Sequence, residues 1–153
     1  MLDLLGEYQS TLDAKSRVLL PAALKKQLGG EAVKGFVLNR DPASACLVLY
    51  PLSEWQRTSA EVRKLNRFDP ESVEFQRRFL NGATPLELDP NGRLLLPKHL
   101  MQYAQLSRTI LFTGMGDRIE VWNEDLYKQA LDGKVALKVL AAKVMAPSKT
   151  NGQ

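Results

Sequence analysis

The sequence has very few of the residues from which metal centres and catalytic sites are usually built. It contains one histidine, His99, and one cysteine, Cys46, among 153 residues. These two side chains cannot supply the four ligands of an ordinary zinc site, and a single cysteine cannot form an internal disulfide. No glycine-rich loop of the Walker or dinucleotide-binding type is present. The sequence therefore predicts that the protein is not an enzyme, and it indicates no metal, cofactor or small-molecule ligand.

Long apolar segments are also missing. No apolar run approaches the ~20 residues that a membrane-spanning helix needs. The N-terminal residues "MLDLLGEYQS" have neither the basic stretch nor the long apolar stretch of a secretory signal. Cys46 lies in the apolar run "ACLVLY", where a buried thiol is favoured over a reactive one. We therefore expect a cytoplasmic protein that does not enter a membrane.

The positive charge of the chain is concentrated at its C-terminal end. The formal net charge is +4. From Lys128 onwards there are five lysines and one aspartate, so the rest of the chain is formally neutral. Any nucleic-acid contact by the body of the protein must therefore come from locally clustered cations. Residues 124–146 predict an amphipathic helix, for which a solvated lysine face is favoured over a DNA-binding one.

An internal repeat organises the chain. A shift of 76 residues aligns "LDAKSRVLLPAAL" (12–24) with "LDPNGRLLLPKHL" (88–100), and seven of the 13 pairs are identical. After a four-residue deletion, "CLVLYPLSEW" also aligns with "RIEVWNEDLY". We interpret these as two copies of one unit. The first copy with its linking helices spans 4–79, the second copy with a C-terminal helix spans 80–145, and 146–153 forms a flexible tail.

Each copy predicts the same order of elements. A short strand, a polar turn and an apolar strand lead to a proline that opens a short helix, and two further β-rich runs follow. Ser53 and Asp69 are the candidate N-caps of two helices that link the copies, with Pro70 at the first helical position. The continuous apolar runs predict strands buried on both faces, as in a small closed barrel. The fold class is therefore α+β, mainly β.

The repeated turn has the pattern Asp-x-x-x-Arg and admits two interpretations. In one, Asp13 accepts the hydrogen bonds of the turn and Arg17 covers the strand in a salt-bridged hairpin. In the other, Lys15 and Arg17 point to the same side of a strand and bind an anion, because arginine can fork onto a phosphate or a guanine edge. A single basic turn neutralises few phosphates, so DNA binding by this route would depend on repetition around an oligomer.

The repeated motif resembles that of a known family. "GEYQSTLDAKSRVLLPAALKKQL" (6–28) resembles the first signature of the MraZ family, in which Asp-x-Lys-Gly-Arg is followed by three residues, proline, three residues and arginine. "LDPNGRLLLP" (88–97) resembles its second copy. The resemblance implies two fused AbrB-like swapped-hairpin units (SpoVT–AbrB domains) in a ring-shaped homo-oligomer. It also implies a nucleoid-associated bacterial transcriptional regulator, generally a repressor, which binds short direct repeats in the promoter of the division and cell-wall gene cluster.

The resemblance also implies which residues contact double-stranded DNA. The basic positions of the signature fall on Lys15 and Arg17 in the first copy and on Arg93 in the second. Lys25 replaces the final arginine, which keeps the charge but loses the planar fork. Asn91 stands where the second copy would have lysine.

Four further positions bear on the turns themselves and on how positive charge is divided between the copies. The acidic positions, Asp13 and Asp89, are expected to hold the turns. Ser16 replaces the usual glycine, so a left-handed backbone there would cost free energy. Met101 replaces the final arginine of the second copy. We therefore hypothesise that the first copy dominates DNA contact and that the second mainly builds the ring.

Two other classes of function are weighed beside DNA-dependent regulation. One is a structural ring whose basic turns bind an acidic protein partner; DNA binding that weakens steeply with salt would argue against it. The other is an antitoxin-like relative of AbrB, which the two fused copies disfavour because such relatives more often assemble from single-copy chains.

Overall fold

The computed structural model describes residues 2–147, which form an α+β fold centred on a large antiparallel sheet. The strands within this range are β1 (Glu7–Thr11), β2 (Arg17–Leu19), β3 (Phe36–Arg40), β4 (Leu47–Pro51), β5 (Thr84–Leu86), β6 (Arg93–Leu95), β7 (Thr109–Gly114) and β8 (Ile119–Asn123). The helices are α1 (Ala22–Leu28), α2 (Leu52–Arg63), α3 (Pro70–Leu80), α4 (Lys98–Tyr103), α5 (Glu124–Leu131) and α6 (Leu137–Val144). A short 3₁₀ helix, Gly29–Val33, follows α1.

The two copies exchange strands and form one intertwined body. Six strands pair in the order β1-β7-β8-β4-β3-β5, so the first strand of each copy is hydrogen-bonded to a strand of the other. The remaining strands, β2 and β6, pair with each other as a separate antiparallel ribbon. The α+β prediction with two tandem units is confirmed. Because one repeated turn precedes β2 and the other precedes β6, this antiparallel pairing places the two turns at opposite ends of the same ribbon.

The four central strands of the sheet, β7, β8, β4 and β3, are covered on both faces, as the apolar runs predicted, whereas the edge strands β1 and β5 are partly exposed. On β3, Phe36 and Leu38 belong to the main core, which also receives Val18 and Leu94 from the ribbon. The alternate residue Asn39 is fully buried on the other face, where its amide donates a hydrogen bond of 2.9 Å to a carbonyl of α3. Burial on both faces fixes the pairing register, because a slip of one residue would exchange the two sets of side chains.

Cys46 is buried, which confirms the interpretation of its apolar surroundings. It packs with Leu111 and Trp122, and Leu126 and Tyr127 of α5 cover this small cluster. Desolvation by burial raises the pKa of the Cys46 thiol, so the thiolate is disfavoured. The same effect raises the pKa of Tyr50 to about 12. Neither group offers a reactive centre in the folded protein.

Helix starts follow the predicted pattern with one exception. The carboxylate of Asp69 accepts a hydrogen bond of 3.1 Å from the backbone N–H of Ser72, and Pro70 opens α3, so this cap is confirmed. The prediction that Ser53 caps α2 is wrong. That helix begins at Leu52, two residues earlier than a cap at Ser53 would place it, and the Ser53 hydroxyl instead donates a hydrogen bond of 2.8 Å to Glu31. Proline at the strand end sets the helix start without a side-chain cap.

The C-terminal segment differs from the single amphipathic helix that the sequence predicted. It forms two helices, α5 and α6, separated by residues 132–136, which include Gly133. Leu126 and Tyr127 hold α5 against the sheet, whereas every residue from 128 to 147 is exposed. Of the predicted tail 146–153, residues 148–153 lie outside the described residues. In the described part of the chain, none of the helices has the length and apolar character to span a bilayer.

Candidate nucleic-acid interface

The repeated turns are held by their aspartates, as predicted. In the first turn, Asp13 Oδ1 accepts hydrogen bonds from the backbone N–H groups of Lys15 at 2.8 Å and Arg17 at 2.9 Å. In the second, Asp89 Oδ1 accepts the corresponding bonds at 2.8 and 2.9 Å from the two matching residues. Such side-chain-to-backbone bonds are why Asp favours the start of a turn. The aspartates therefore define the shape of both turns.

Electrostatics keep both aspartates ionised. The backbone N–H of Arg17 is the main cause that lowers the pKa of Asp13, followed by the opposing effect of desolvation and then by the Arg17 side chain. The backbone N–H of Arg93 likewise lowers the pKa of Asp89. Hydrogen bonds to the charged form favour that form, so each turn includes a fixed negative charge at neutral pH.

Each turn contains one residue with a left-handed backbone. Gly92 has φ of 79°, which glycine adopts without strain. At the equivalent position of the first copy, Ser16 has φ of 63°, so the conformation that the sequence predicted to be costly is adopted there. The carbonyl of Ser16 accepts a hydrogen bond of 2.9 Å from Leu96 N–H, which ties this strained residue to the second copy.

The arginine of the first turn forms the salt-bridged hairpin considered above. Arg17 Nε donates to Asp13 Oδ2 at 3.0 Å, and Arg93 Nη1 lies 3.9 Å from the same oxygen. One carboxylate oxygen therefore faces two guanidinium groups, and the charges of both arginines also favour the ionised form of Asp89. The Arg17 and Arg93 side chains are 34% and 40% exposed, so both remain accessible to an anion from solvent. The hairpin and anion-binding interpretations are compatible.

The ribbon register places both arginines on its outward face. Arg17 pairs with Leu95 and Leu19 pairs with Arg93, whereas the central pair, Val18 and Leu94, is buried in the core. Alternation along a strand therefore puts the two arginines diagonally across one exposed surface. Two half-exposed leucines complete that surface.

Lys15 does not lie on this strand, so the argument that it points to the same side as Arg17 by strand alternation is wrong. The strand β2 begins at Arg17, and residues 14–16 form the turn. The Asp13 side chain, which binds the backbone of both residues, sets their relative positions instead. Lys15 is exposed at the tip of the turn.

Lys25 lies beside the turn of the other copy. A Cβ atom added to Gly92 would stand 3.7 Å from the Lys25 ammonium nitrogen. This lysine belongs to the first-copy signature. It lies in α1, which follows the end of β2, and there the N–H of Leu20 donates a hydrogen bond of 3.0 Å to the carbonyl of Gly92 in the second turn. The second turn, which has Asn91 in place of lysine, therefore has a lysine from the first copy next to it.

An open groove runs between the two turns and includes a cation that the sequence analysis missed. Its volume is about 740 Å³, and its lining includes Arg17, Asn91, Arg93 and Arg108. The carbonyl of Arg108 accepts a hydrogen bond of 2.8 Å from the N–H of Leu12, directly before the first turn. No local signal could have identified Arg108, because it lies outside the repeated motif and reaches the groove only through the pairing of β1 with β7.

Comparison with known proteins bears on what this surface does. A profile of the family described as "MraZ protein, putative antitoxin-like" matches residues 4–78 and, a second time, residues 79–139. The chain belongs to the MraZ family. This confirms the resemblance drawn from the two signatures.

Relatives match most of the chain. MraZ proteins from Cytophaga hutchinsonii and Christiangramia forsetii are 44% identical over 145 residues and 39% identical over 153 residues, which cover 94% and 99% of this chain and 95% and 99% of those proteins. A Flavobacterium psychrophilum MraZ is 40% identical over 132 residues, or 86% of this chain and 84% of its own. All three are named transcriptional regulators, which agrees with the prediction that this family member is not an enzyme.

Proposed function

We propose that the protein is a sequence-specific DNA-binding transcriptional regulator that acts as a ring-shaped homo-oligomer. In this proposal it recognises short direct repeats upstream of the division and cell-wall gene cluster and represses transcription there. It works in the cytoplasm, associated with the nucleoid. The observation that carries the proposal is the exposed β2–β6 ribbon, on which Arg17 and Arg93 lie diagonally beside two basic turns. The names of the MraZ relatives support the regulatory part.

The ribbon has the dimensions and chemistry for reading a duplex. The major groove of B-DNA is about 12 Å wide and admits a two-stranded β-ribbon. Outward arginines on such a ribbon can fork onto a phosphate or onto the acceptor edge of guanine, and Asn91 can pair with adenine. Lys15 and Lys25 are compact point charges that suit phosphates. At the start of each turn, the negative charge of Asp13 or Asp89 repels phosphates.

Oligomerisation follows from the small number of cations on one chain. The four proposed cations, Lys15, Arg17, Lys25 and Arg93, neutralise few phosphates, and each neutralised phosphate contributes only modestly to affinity. Several copies of the ribbon arranged on a ring would engage successive repeats, and the second contact would then form at a high effective concentration. Direct repeats in the DNA match copies that are related by rotation within a ring.

Binding of the purified protein to its own upstream DNA tests the proposal. Fluorescence anisotropy with that duplex and with a scrambled duplex, across a salt series, separates specific from general binding. We expect tight binding to the native duplex, a steep fall with salt, and loss of specific binding in Arg17→Ala. Arg118→Ala is the matched control. Thr109, at the start of β7, pairs with Thr11 close to the first turn, whereas Arg118 lies in the hairpin that follows the other end of β7. The strand between these two ends is roughly 17 Å long.

Separate measurements address the finer parts of the proposal. Light scattering of the free protein reports the oligomer, and a promoter fusion reports the sign of regulation. Weak and equal binding to both duplexes would contradict sequence-specific regulation and would favour an acidic protein partner for the same basic turns. Activation of the fused promoter would contradict the repressor assignment alone.

A further inference from the structure

Arg108 has the features of a DNA-contacting residue, although it lies outside both signatures. It lines the groove that also receives Arg17 and Arg93, and its side chain is exposed. Among residues 2–147, none of the salt bridges involves Arg108. Its backbone is fixed beside the first turn by the hydrogen bond from Leu12. Its exposed guanidinium therefore extends from a backbone that is fixed beside the turn, and no salt bridge within residues 2–147 neutralises it.

The charge in this groove favours an anion. Three arginines line the groove, and the outer oxygen of Asp13 is shared by two of them, Arg17 and Arg93. Asp89 is the second carboxylate on which these two arginines act, so the cations outnumber the carboxylates by three to two. The hydroxyl-bearing residues Ser10 and Thr11 also line the groove. A phosphate has several strong acceptor oxygens, and a planar guanidinium can bind two of them at once.

The equivalent cation of the other copy is neutralised, which makes the two sides of the molecule unequal. The shift of 76 residues makes Ser10 equivalent to Leu86. Ser10 pairs with Ile110 and Leu86 pairs with Phe36, so Ile110 is equivalent to Phe36. By the same offset it relates Arg108 to Lys34. The Lys34 ammonium donates a hydrogen bond of 2.8 Å to Glu31, whereas Arg108 forms no salt bridge with any carboxylate of the described part of the chain.

We propose that Arg108 is a third arginine of the DNA-binding surface and binds a backbone phosphate beside the segment that Arg17 contacts. This inference rests on the proposed DNA-binding function and adds a residue that neither signature contains. The position of Arg108 decides between phosphate and base. It precedes β7 of the large sheet, to the side of the β2–β6 ribbon, so a ribbon inserted in the major groove brings Arg108 to the rim of the groove, where the phosphates lie.

Arg108→Ala tests the inference in the same anisotropy assay, with Lys34→Ala as the matched control from the other copy. A lost phosphate contact weakens binding to every sequence alike, so we expect roughly tenfold weaker binding to both the native and the scrambled duplex. The slope of log K against log salt should become less steep by about 0.9 for each subunit bound to the duplex. Lys34→Ala should leave both affinity and slope near those of the unmodified protein.

Arg108→Lys separates a phosphate contact from a structural role. Lysine keeps the charge, so this variant should retain the salt slope of the unmodified protein even where it loses part of the affinity. An unchanged affinity and slope in Arg108→Ala, while the unmodified protein binds and Arg17→Ala does not, would overturn this inference and leave the proposed function standing. A loss confined to the native duplex, or one that Arg108→Lys fails to restore, would also overturn it. Failure of the unmodified protein to bind any duplex would instead remove the proposed function itself.

Discussion

The ammonium nitrogen of Lys25 lies beside Gly92, 3.7 Å from the point where a Cβ atom on that glycine would stand. The two residues belong to different copies of the repeat and are 67 positions apart in the chain. They meet because β2 pairs antiparallel with β6, which brings the start of α1 to the second turn. Lys25 therefore adds its charge beside the turn that leads into Arg93, although the family signature groups it with Arg17.

A double-mutant cycle should detect this arrangement. Lys25→Ala and Arg93→Ala should be non-additive in the free energy of DNA binding by at least ~0.5 kcal/mol, because neighbouring groups that share one anion couple energetically. Lys25→Ala and Arg17→Ala should show a smaller coupling energy, because Lys25 lies beside the second turn and not the first. Anisotropy measurements at one salt concentration on the unmodified protein, the three single variants and the two double variants give both values. Coupling of Lys25 to Arg17 rather than to Arg93 would show that the lysine acts with its own signature.

The unequal contribution of the two copies stays a prediction. We expect Arg17→Ala to weaken binding to the native duplex more than Arg93→Ala, by about 1–3 kcal/mol if Arg17 reads a guanine. The first turn also presents Lys15, whereas the second presents Asn91. Titrations of both variants against the same duplex give the comparison. Equal losses from the two variants would mean that the ribbon binds DNA symmetrically and would remove this division of labour.

The left-handed residues of the two turns should respond oppositely to reciprocal substitutions. Ser16→Gly should stabilise the protein by about 0.5–1 kcal/mol, since a left-handed backbone is unfavourable for any residue with a Cβ. Gly92→Ser should destabilise it by about 1 kcal/mol for the same reason. Its nearest neighbours would be at ordinary contact distances of 3.6 and 3.7 Å, so the effect comes from the backbone. Urea titrations measure both, and shifts of the same sign would contradict the explanation.

The turn aspartates should make the protein sensitive to acid. Hydrogen bonds from the backbone N–H groups of Arg17 and Arg93 lower the pKa of Asp13 and Asp89, respectively, in the folded state. Their contribution to stability is therefore present above the unfolded pKa of about 3.9 and is lost as the pH falls through the lower folded value. Thermal melts between pH 7 and pH 2.5 should show this loss.

The double substitution Asp13→Asn and Asp89→Asn is the control for that pH dependence. Asparagine keeps a side-chain oxygen that can accept the two backbone hydrogen bonds but does not titrate. The doubly substituted protein should lose less stability on acidification than the unmodified one, while Asp69 and Glu31, whose pKa values are also lowered, maintain part of the slope. An unchanged pH profile would show that the turns do not contribute to acid sensitivity.

The single cysteine should be protected from thiol reagents. Cys46 is fully buried, and desolvation raises the pKa of its thiol, so both access and thiolate population are low. A disulfide reagent should react with it slowly in buffer and rapidly in denaturant. The control is Ala45→Cys combined with Cys46→Ala, which moves the thiol to an exposed neighbouring position. Fast labelling of the unmodified native protein would contradict the buried placement of Cys46.

The sequence by itself determined the local structure of the turns and the starts of most helices. Asp13 and Asp89 bind N–H groups two and four residues ahead, and Pro70 follows the cap at Asp69. Interactions of this kind depend on the identity of a few neighbouring residues, so pattern and spacing are sufficient to predict them. Ser53 failed as a cap because Pro51 had already started the helix, which spacing alone does not reveal.

Only the tertiary structure decided which elements meet. The exchange of first strands joins β1 to β7, about a hundred residues apart, and adds the partly buried Tyr8 and, through β5, Leu86 to the core that both copies share. This pairing brings Arg108 to the first turn, and the β2–β6 pairing brings Lys25 to the second. The repeat therefore determined two similar basic turns, and long-range burial of strands determined that they share one surface and which further cations join them.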